Sequence, residues 1–265
     1  NNGLGSDAFA LLWDGQQVVG LNASGRAPAA WLLDRFAGRK RMPELGWDSV
    51  TVPGAVSSWV ALSDRYGKLP FEALFESAIH YAKNGFLVGP KSAFYWQLLE
   101  GYYSDYPDWI AHFGPVPKAG ERFMRPDMVA SLEAIRDSKG EAFYRGELAS
   151  AMVDASTRAE GGLALEDLAN HTCDWVTPIT QSYRDVELLE IPPNAQGLAA
   201  QIALGILSYL PLAELDSAAL MHQQIEAMKI AVRAASQHFA DARAMLVSPE
   251  QLLEPGSLER AAKSI

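Results

Sequence analysis

VPGAVSSWVALSDRYGKLPFEALFESAIHYAKNGFLV, residues 52–88, carries the clearest local pattern in the chain. After Gly54 the run AVSSWVALSDRY reads as a helix, and Gly67 closes it as a C-cap. Pro70 then opens a second helix, PFEALFESAIHYAKN, which ends on Asn84-Gly85. In that second helix Phe71, Leu74, Phe75, Ala78, Ile79 and Ala82 recur at three- and four-residue spacing, so one face is apolar. His80 lies off the stripe. The preceding SVTVPG, residues 49–54, reads as a short strand running into Gly54. A strand feeding amphipathic helices is the kind of unit from which layered folds are built.

Towards the N-terminus, AFALLW (8–13) and QQVVGL (16–21) are β-prone runs joined by Asp14-Gly15. That dipeptide between such runs predicts a type I′ hairpin. Beyond Asn22 the pattern changes. Pro28 serves as a first-turn proline for AAWLLDRFA, a short helix closed by Gly38. Arg26 then sits at a strand-to-helix junction, where backbone N–H groups favour an anion. Two readings of Arg26 stand: an anchor for an anionic substrate, or a structural residue paired with Asp7 or Asp34. The basic loop with Arg39, Lys40 and Arg41 reads as solvated surface.

Towards the C-terminus, FYWQLLEGYYSDYPDWIAHF (94–113) is rich in aromatics, as a core, a subunit contact or a pocket lining would be. MVASLEAIRD, EAFYRGELASAMVDASTRAE and LEDLANH read as helical segments. WVTPITQSYRDVELLEIPP reads as two strands turning at Arg184-Asp185. NAQGLAAQIALGILSYL and DSAALMHQQIEAMKIAVRAASQHFADA are helices, the second long and amphipathic. Between strand and helix, PPNAQG (192–197) fixes a tight passage. Its Asn194 and Gln196 are either turn chemistry or amide groups offered to a cleft. The total is about eight helices and about four or five strands, most of them in hairpins, which predicts an α+β or α/β layered domain over residues 1–265. The apolar faces at 71–82 and 198–210 are broad enough to call for a covering partner.

The 265 residues are 49% hydrophobic and 20% charged, which supports a sizeable packed core. A net charge of −10 argues against nucleic acid or an anionic membrane as partner. No apolar run reaches the roughly 18–20 residues that span a bilayer. Cys173 is the only cysteine, so an internal disulfide, a CxxC site and a thiolate metal site are all excluded. The five histidines form neither HxxxH nor HExxH, and no metal or cofactor is expected. No GxxxxGK[ST], dinucleotide fingerprint or GxSxG occurs. No carboxylate pair stands out among 32 acidic residues. The chain begins without methionine or signal peptide and stops at AAKSI, so both ends look cut. The compartment is not legible; a soluble protein, cytoplasmic rather than periplasmic, is the expectation.

The 52–88 stretch closely resembles the large-subunit signature of the γ-glutamyltransferase (γ-glutamyltranspeptidase) family. Other blocks agree in order: GLGSDAFALLWDG at the start, EAFYRGELA at 141, GGLALEDLANHTCDWVTPI at 161, LLEIPPNAQGLAAQIALGIL from 188, and HQQIEAMKIA from 222. Ser58 departs from a usual glycine and Ser77 from a usual proline. The resemblance implies an N-terminal nucleophile hydrolase with a four-layer αββα sandwich. It also implies a precursor that cleaves itself into large and small subunits. The new N-terminal threonine of the small subunit would be the nucleophile, with its own amine as base. This chain would be a large subunit with both ends incomplete. The catalytic threonine and oxyanion-hole glycines would lie on a small subunit from the same precursor, and a dimer of such heterodimers is compatible with this. The substrate would be a small acyl amide, γ-glutamyl or glutaryl.

In typical members an arginine two positions before Arg26 binds the α-carboxylate of the glutamyl group; here that position is Ser24. Serine cannot form a bidentate charge-assisted pair with a carboxylate, a loss of about 2–4 kcal/mol unless replaced. Ser24-Gly25-Arg26-Ala27-Pro28 resembles instead the loop of a variant bacterial subgroup similar to cephalosporin (glutaryl) acylases. Ser24, Gly25, Arg26 and Asn194 are therefore the candidate substrate-binding residues, with Arg26 the replacement cation. The alternatives are a family member that has lost catalysis and serves as a binding or scaffold protein, and an unrelated carboxylate-based enzyme.

Overall fold

The computed structural model describes residues 3–265. The chain forms two compact units. One comprises residues 3–6 and 25–171, and the other residues 7–24 and 172–265.

The first unit is mainly helical. Helix Ala55–Tyr66 follows Gly54 as expected, and Phe71–Phe75 forms a 3₁₀ turn that leads into helix Glu76–Asn84. Val56, Phe71 and Phe75 are buried with Leu132 and Ile135 of helix Asp127–Asp137, and with Phe143, Ala149 and Leu168. Ile79 and Ala82 pack against this cluster, whereas Leu74 is half exposed. Each fully buried aliphatic side chain here contributes about 1.5–3 kcal/mol of transfer free energy. EAFYRGELASAMVDASTRAE divides at Gly146 into helices Glu141–Arg145 and Glu147–Arg158. Ser58 takes its place inside helix Ala55–Tyr66 by donating to Ala55 O at 2.6 Å, which satisfies a buried hydroxyl.

Two local expectations fail in this unit. Residues 51–54 form no strand; a 3₁₀ turn, Trp47–Ser49, precedes them instead. AAWLLDRFA is not a helix. Only Leu33–Phe36 makes a 3₁₀ turn, after short-range bonds from Trp31 N–H to Pro28 O and Leu32 N–H to Ala30 O, both 2.9 Å. Leu32 and Leu33 are 67% and 92% exposed, so no buried face holds a helix together here. Arg26 therefore does not sit at a helix start, and the helix-dipole argument for it falls away. The aromatic stretch, in helices Pro90–Tyr102 and Pro107–Phe113, is not closed core: Phe94, Tyr95, Leu98 and Tyr102 are each more than half exposed.

The second unit is a sheet-and-helix assembly. Strands Ala8–Trp13 and Val18–Ala23 pair antiparallel, and Asp174–Val176 adds to the second of them. The connection is longer than a two-residue Asp-Gly turn. Asp14 Oδ1 accepts from the N–H groups of Gln16 and Gln17 at 2.8 and 2.9 Å, and Trp13 pairs with Val18. The Asx turn moves the second strand to start at Val18. A separate hairpin, Ile179–Tyr183 with Val186–Glu190, turns at Arg184-Asp185 as expected. Helix Gly197–Leu207 lies on this hairpin. Its fully buried Gln201 donates from Nε2 to Ile179 O at 2.8 Å and Leu188 O at 2.9 Å, which ties the helix to both strands. Leu198, Ile202 and Ile206 pack with Ala227 and Ala231 of helix Ser217–His238 and with Leu258 of helix Pro255–Ala262. The apolar face at 198–210 is thus covered within its own unit. The long helix keeps an exposed stripe of Met221, Ile225, Met228 and Val232. Both units mix helix and strand, in keeping with the α+β layered class.

Candidate functional site

The loop after strand Val18–Ala23 is built by close approach. Gly25 lies so near residue 52 that a Cβ would stand 1.4 Å from Val52 O, so no side chain fits. Val52 N–H donates to Arg26 O at 3.0 Å and holds the loop down. Arg26 is exposed at the edge of a cavity of about 200 Å³ lined also by Ala27, Ala29, Val52, Asp167, Asn170 and His171. Among the described residues its guanidinium makes no ion pair, with Asp34 or with any other carboxylate. The structural reading of Arg26 as an ion-paired scaffold residue is therefore not supported. Asp167, the one acid of the lining, is engaged: Oδ1 accepts from Ala29 N–H and Oδ2 from Ala164 N–H, both at 2.9 Å. Backbone donors thus offset its charge, and Arg26 is left as the cation facing the cavity.

One wall of the cavity is tied in by hydrogen bonds and ring stacking. His171 is 7% exposed and stacks on Tyr144, with ring centroids 5.1 Å apart. Its Nε2 lies 2.9 Å from Ser57 Oγ, which also donates to Gly54 O at 2.7 Å. Tyr144 Oη donates to Pro53 O at 2.8 Å and accepts from Ser57 N–H at 3.0 Å. Sequence reasoning passed over His171, Asp167 and Ser57. The signal for Asp167 was its place in the first turn of helix Leu165–Ala169, where carboxylates collect backbone N–H groups. Nothing local marks His171 and Ser57 as partners.

In the second unit Ser24 and Asn194 do come together. Ser24 Oγ lies 2.7 Å from Asn22 Oδ1 and 3.0 Å from Asn194 Oδ1, and Asn22 Nδ2 donates to Asn194 Oδ1 at 3.1 Å. Asn194 is held in the passage between strand Val186–Glu190 and helix Gly197–Leu207. A Cβ at Gly197 would stand 2.1 Å from Glu190 Oε2, so a larger residue there requires the Glu190 carboxylate to swing aside. Asn22 escaped notice, although an Asn directly after a β-prone run is a residue type that forms Asx turns with the backbone N–H two positions on.

A second cavity of the first unit, about 450 Å³, is bounded by Arg35, Arg39, Trp47, Asp48 and Glu160. Arg35 and Asp48 are engaged with each other: Arg35 Nε donates to Asp48 Oδ1 at 2.7 Å, and Arg35 Nη2 donates to the main-chain oxygen of Glu160 at 2.6 Å. Among the described residues no cluster of three or more His, Cys, Asp or Glu side chains is placed to hold a metal. No helix among them is long and apolar enough to cross a membrane.

A sequence profile described as gamma-glutamyltranspeptidase matches residues 1–265. The chain belongs to the gamma-glutamyltranspeptidase family. The glutathione hydrolase-like YwrD proenzyme of Bacillus subtilis is 30% identical over 276 residues, covering 99% of this chain and 52% of that protein. The oxamate amidohydrolase proenzyme of Klebsiella pneumoniae is 31% identical over 275 residues, covering 100% of this chain and 52% of that protein. The crystal structure of a cephalosporin acylase from Bacillus halodurans superimposes with a TM-score of 0.93 at 38% identity, covering 100% of this chain and 52% of that one. The chain thus spans about half the length of these relatives. Its fold is that of the family's N-terminal nucleophile hydrolases, as the 52–88 signature implied.

Proposed function

We propose that this chain is a large-subunit fragment, both units included, of an amide hydrolase and acyltransferase of the γ-glutamyltransferase type. The observation that carries this reading is the family match over residues 1–265, with relatives named as glutathione hydrolase, amidohydrolase and acylase. Those names give no support to the alternative of a scaffold protein without catalysis. In the proposed reaction the N-terminal threonine of a small subunit, cut from the same precursor, attacks the amide carbonyl. Its amine takes the hydroxyl proton, the amine product departs, and water or an acceptor amine releases the acyl group from the threonine. The threonines at 51, 157, 172, 177 and 180 are given no part in the chemistry.

This chain contributes binding. Arg26, without an ion pair among the described residues and facing a cavity of about 200 Å³, holds a carboxylate of the acyl donor. Gly25 sets the loop that carries Arg26. Within the second unit, Ser24 and Asn194 offer uncharged hydrogen-bonding groups. Because Ser24 stands where a carboxylate-binding arginine is usual, glutaryl amides are turned over at least as well as γ-glutamyl amides. The test is expression of the full-length precursor. Two fragments on a denaturing gel, the smaller beginning with threonine, together with release of p-nitroaniline from glutaryl p-nitroanilide, support the reading. A single uncleaved chain, inert to both glutaryl and γ-glutamyl p-nitroanilide, overturns it.

A further inference from the structure

We propose that Asn22 is a positioning residue. Through the Asn22–Ser24–Asn194 network it turns the Asn194 carboxamide oxygen inward and its Nδ2–H₂ group outward, as a donor to an oxygen of the acyl group. The proposal deepens the function just given and rests on it for the substrate. The orientation itself follows from donor logic alone.

A backbone N–H can only donate. Ser24 N–H lies 3.0 Å from one terminal atom of the Asn22 carboxamide, which must therefore be Oδ1. The Ser24 hydroxyl, 2.7 Å away, meets the same atom. Asn22 Nδ2 consequently faces the other way, and 3.1 Å along that direction it meets Asn194. A nitrogen donor requires an oxygen there, so Asn194 Oδ1 is the inner atom. Ser24 Oγ, 3.0 Å from that oxygen, agrees with the assignment, its single proton serving one asparagine oxygen or the other. Asn194 Nδ2 is then the outer atom. Asn194 is exposed, and among the described residues this nitrogen has no hydrogen-bond partner. All three residues belong to the second unit.

The result is an uncharged double N–H donor whose direction is set by a strand end. It suits a carbonyl or carboxylate oxygen on the acyl chain. It asks for no charge, in contrast to the cation that Ser24 replaces. Asn194→Asp is the sharpest probe. An aspartate keeps an inner oxygen for Asn22 and Ser24, so the network survives, but its outer atom changes from donor to anionic acceptor.

The experiment uses the full-length processed protein with glutaryl and γ-glutamyl p-nitroanilides. Asn194→Asp is expected to keep its melting temperature and to lose about thirtyfold or more in kcat/KM. Asn194→Ala is expected to lose about tenfold, and Asn22→Ala roughly three- to tenfold. The double variant Asn22→Ala/Asn194→Ala should be no worse than Asn194→Ala, because Asn22 acts only through Asn194. A second readout needs no turnover. In ¹⁵N-asparagine-labelled protein the Asn194 side-chain signal, identified by its loss in Asn194→Ala, should be ordered in the wild type and mobile in Asn22→Ala. Additive losses, wild-type activity in Asn194→Asp, or an unchanged Asn194 signal in Asn22→Ala each overturn the proposal. If the wild type cleaves neither amide, the functional reading fails while the spectroscopic comparison still decides the positioning role.

Discussion

Arg26→Ala isolates one charge with little structural consequence. What the fold uses at this position is the backbone, whose carbonyl accepts from Val52 N–H at 3.0 Å, and alanine retains it. The side chain is exposed and makes no ion pair among the described residues, so stability should change by less than about 0.5 kcal/mol. The effect on binding is bracketed by two limits. A fully exposed pair with a carboxylate is worth about 0.2–1 kcal/mol. A charge-assisted hydrogen bond shielded from water is worth about 1.5–3 kcal/mol. Arg26 stands at the edge of a cavity, between those limits, so the loss should be about 1–2 kcal/mol, or roughly 5- to 30-fold in KM for a glutaryl amide. A neutral acyl analogue such as butyryl p-nitroanilide should be unaffected. Raising the ionic strength should raise KM for the glutaryl donor in the wild type and leave the variant unchanged. The assay is steady-state release of p-nitroaniline by the processed protein, with thermal melts alongside. Equal slowing of both donors, or a large fall in melting temperature, would refute the reasoning and make Arg26 scaffolding.

Gly25→Ala places a methyl group on Val52 O, so the loop must move; a thermal melt should show destabilisation of about 2–4 kcal/mol, with activity lost in step. Tyr144→Phe removes the hydroxyl that donates to Pro53 O and accepts from Ser57 N–H. It should lower stability by about 1–3 kcal/mol, read by urea titration, while the preference between glutaryl and butyryl donors stays the same. The Arg125 guanidinium, hydrogen-bonded to Asp127, holds that carboxyl below its ordinary value of 3.8. A depressed folded-state value means that the contribution is present above pH 3.8 and is lost as pH falls through the folded-state value, so Asp127→Asn should flatten the acid limb of stability against pH below about 4. A limb identical to the wild type's would show that this partly exposed pair contributes nothing to stability.

Much of this molecule is local, and the local parts were legible. Helices Ala55–Tyr66, Glu76–Asn84 and Gly197–Leu207 follow from apolar spacing between glycine and proline boundaries, because each buries one face against whatever lies beside it. The 179–190 hairpin follows from two β-prone runs around Arg184-Asp185. The family blocks were legible because they preserve residue order. Where local patterning misled, burial was the missing term. AAWLLDRFA carries helix-forming residues, yet Leu32 and Leu33 face solvent and only a 3₁₀ turn forms. The candidate site belongs to tertiary structure throughout. Asn22 meets Asn194 across 172 residues, and Ser57 meets His171 across 114. The sequence names amides, a serine and an arginine; it does not contain the distances between them. A side chain's role depends on which donor faces which acceptor at about 3 Å, and only the packing of distant segments decides that.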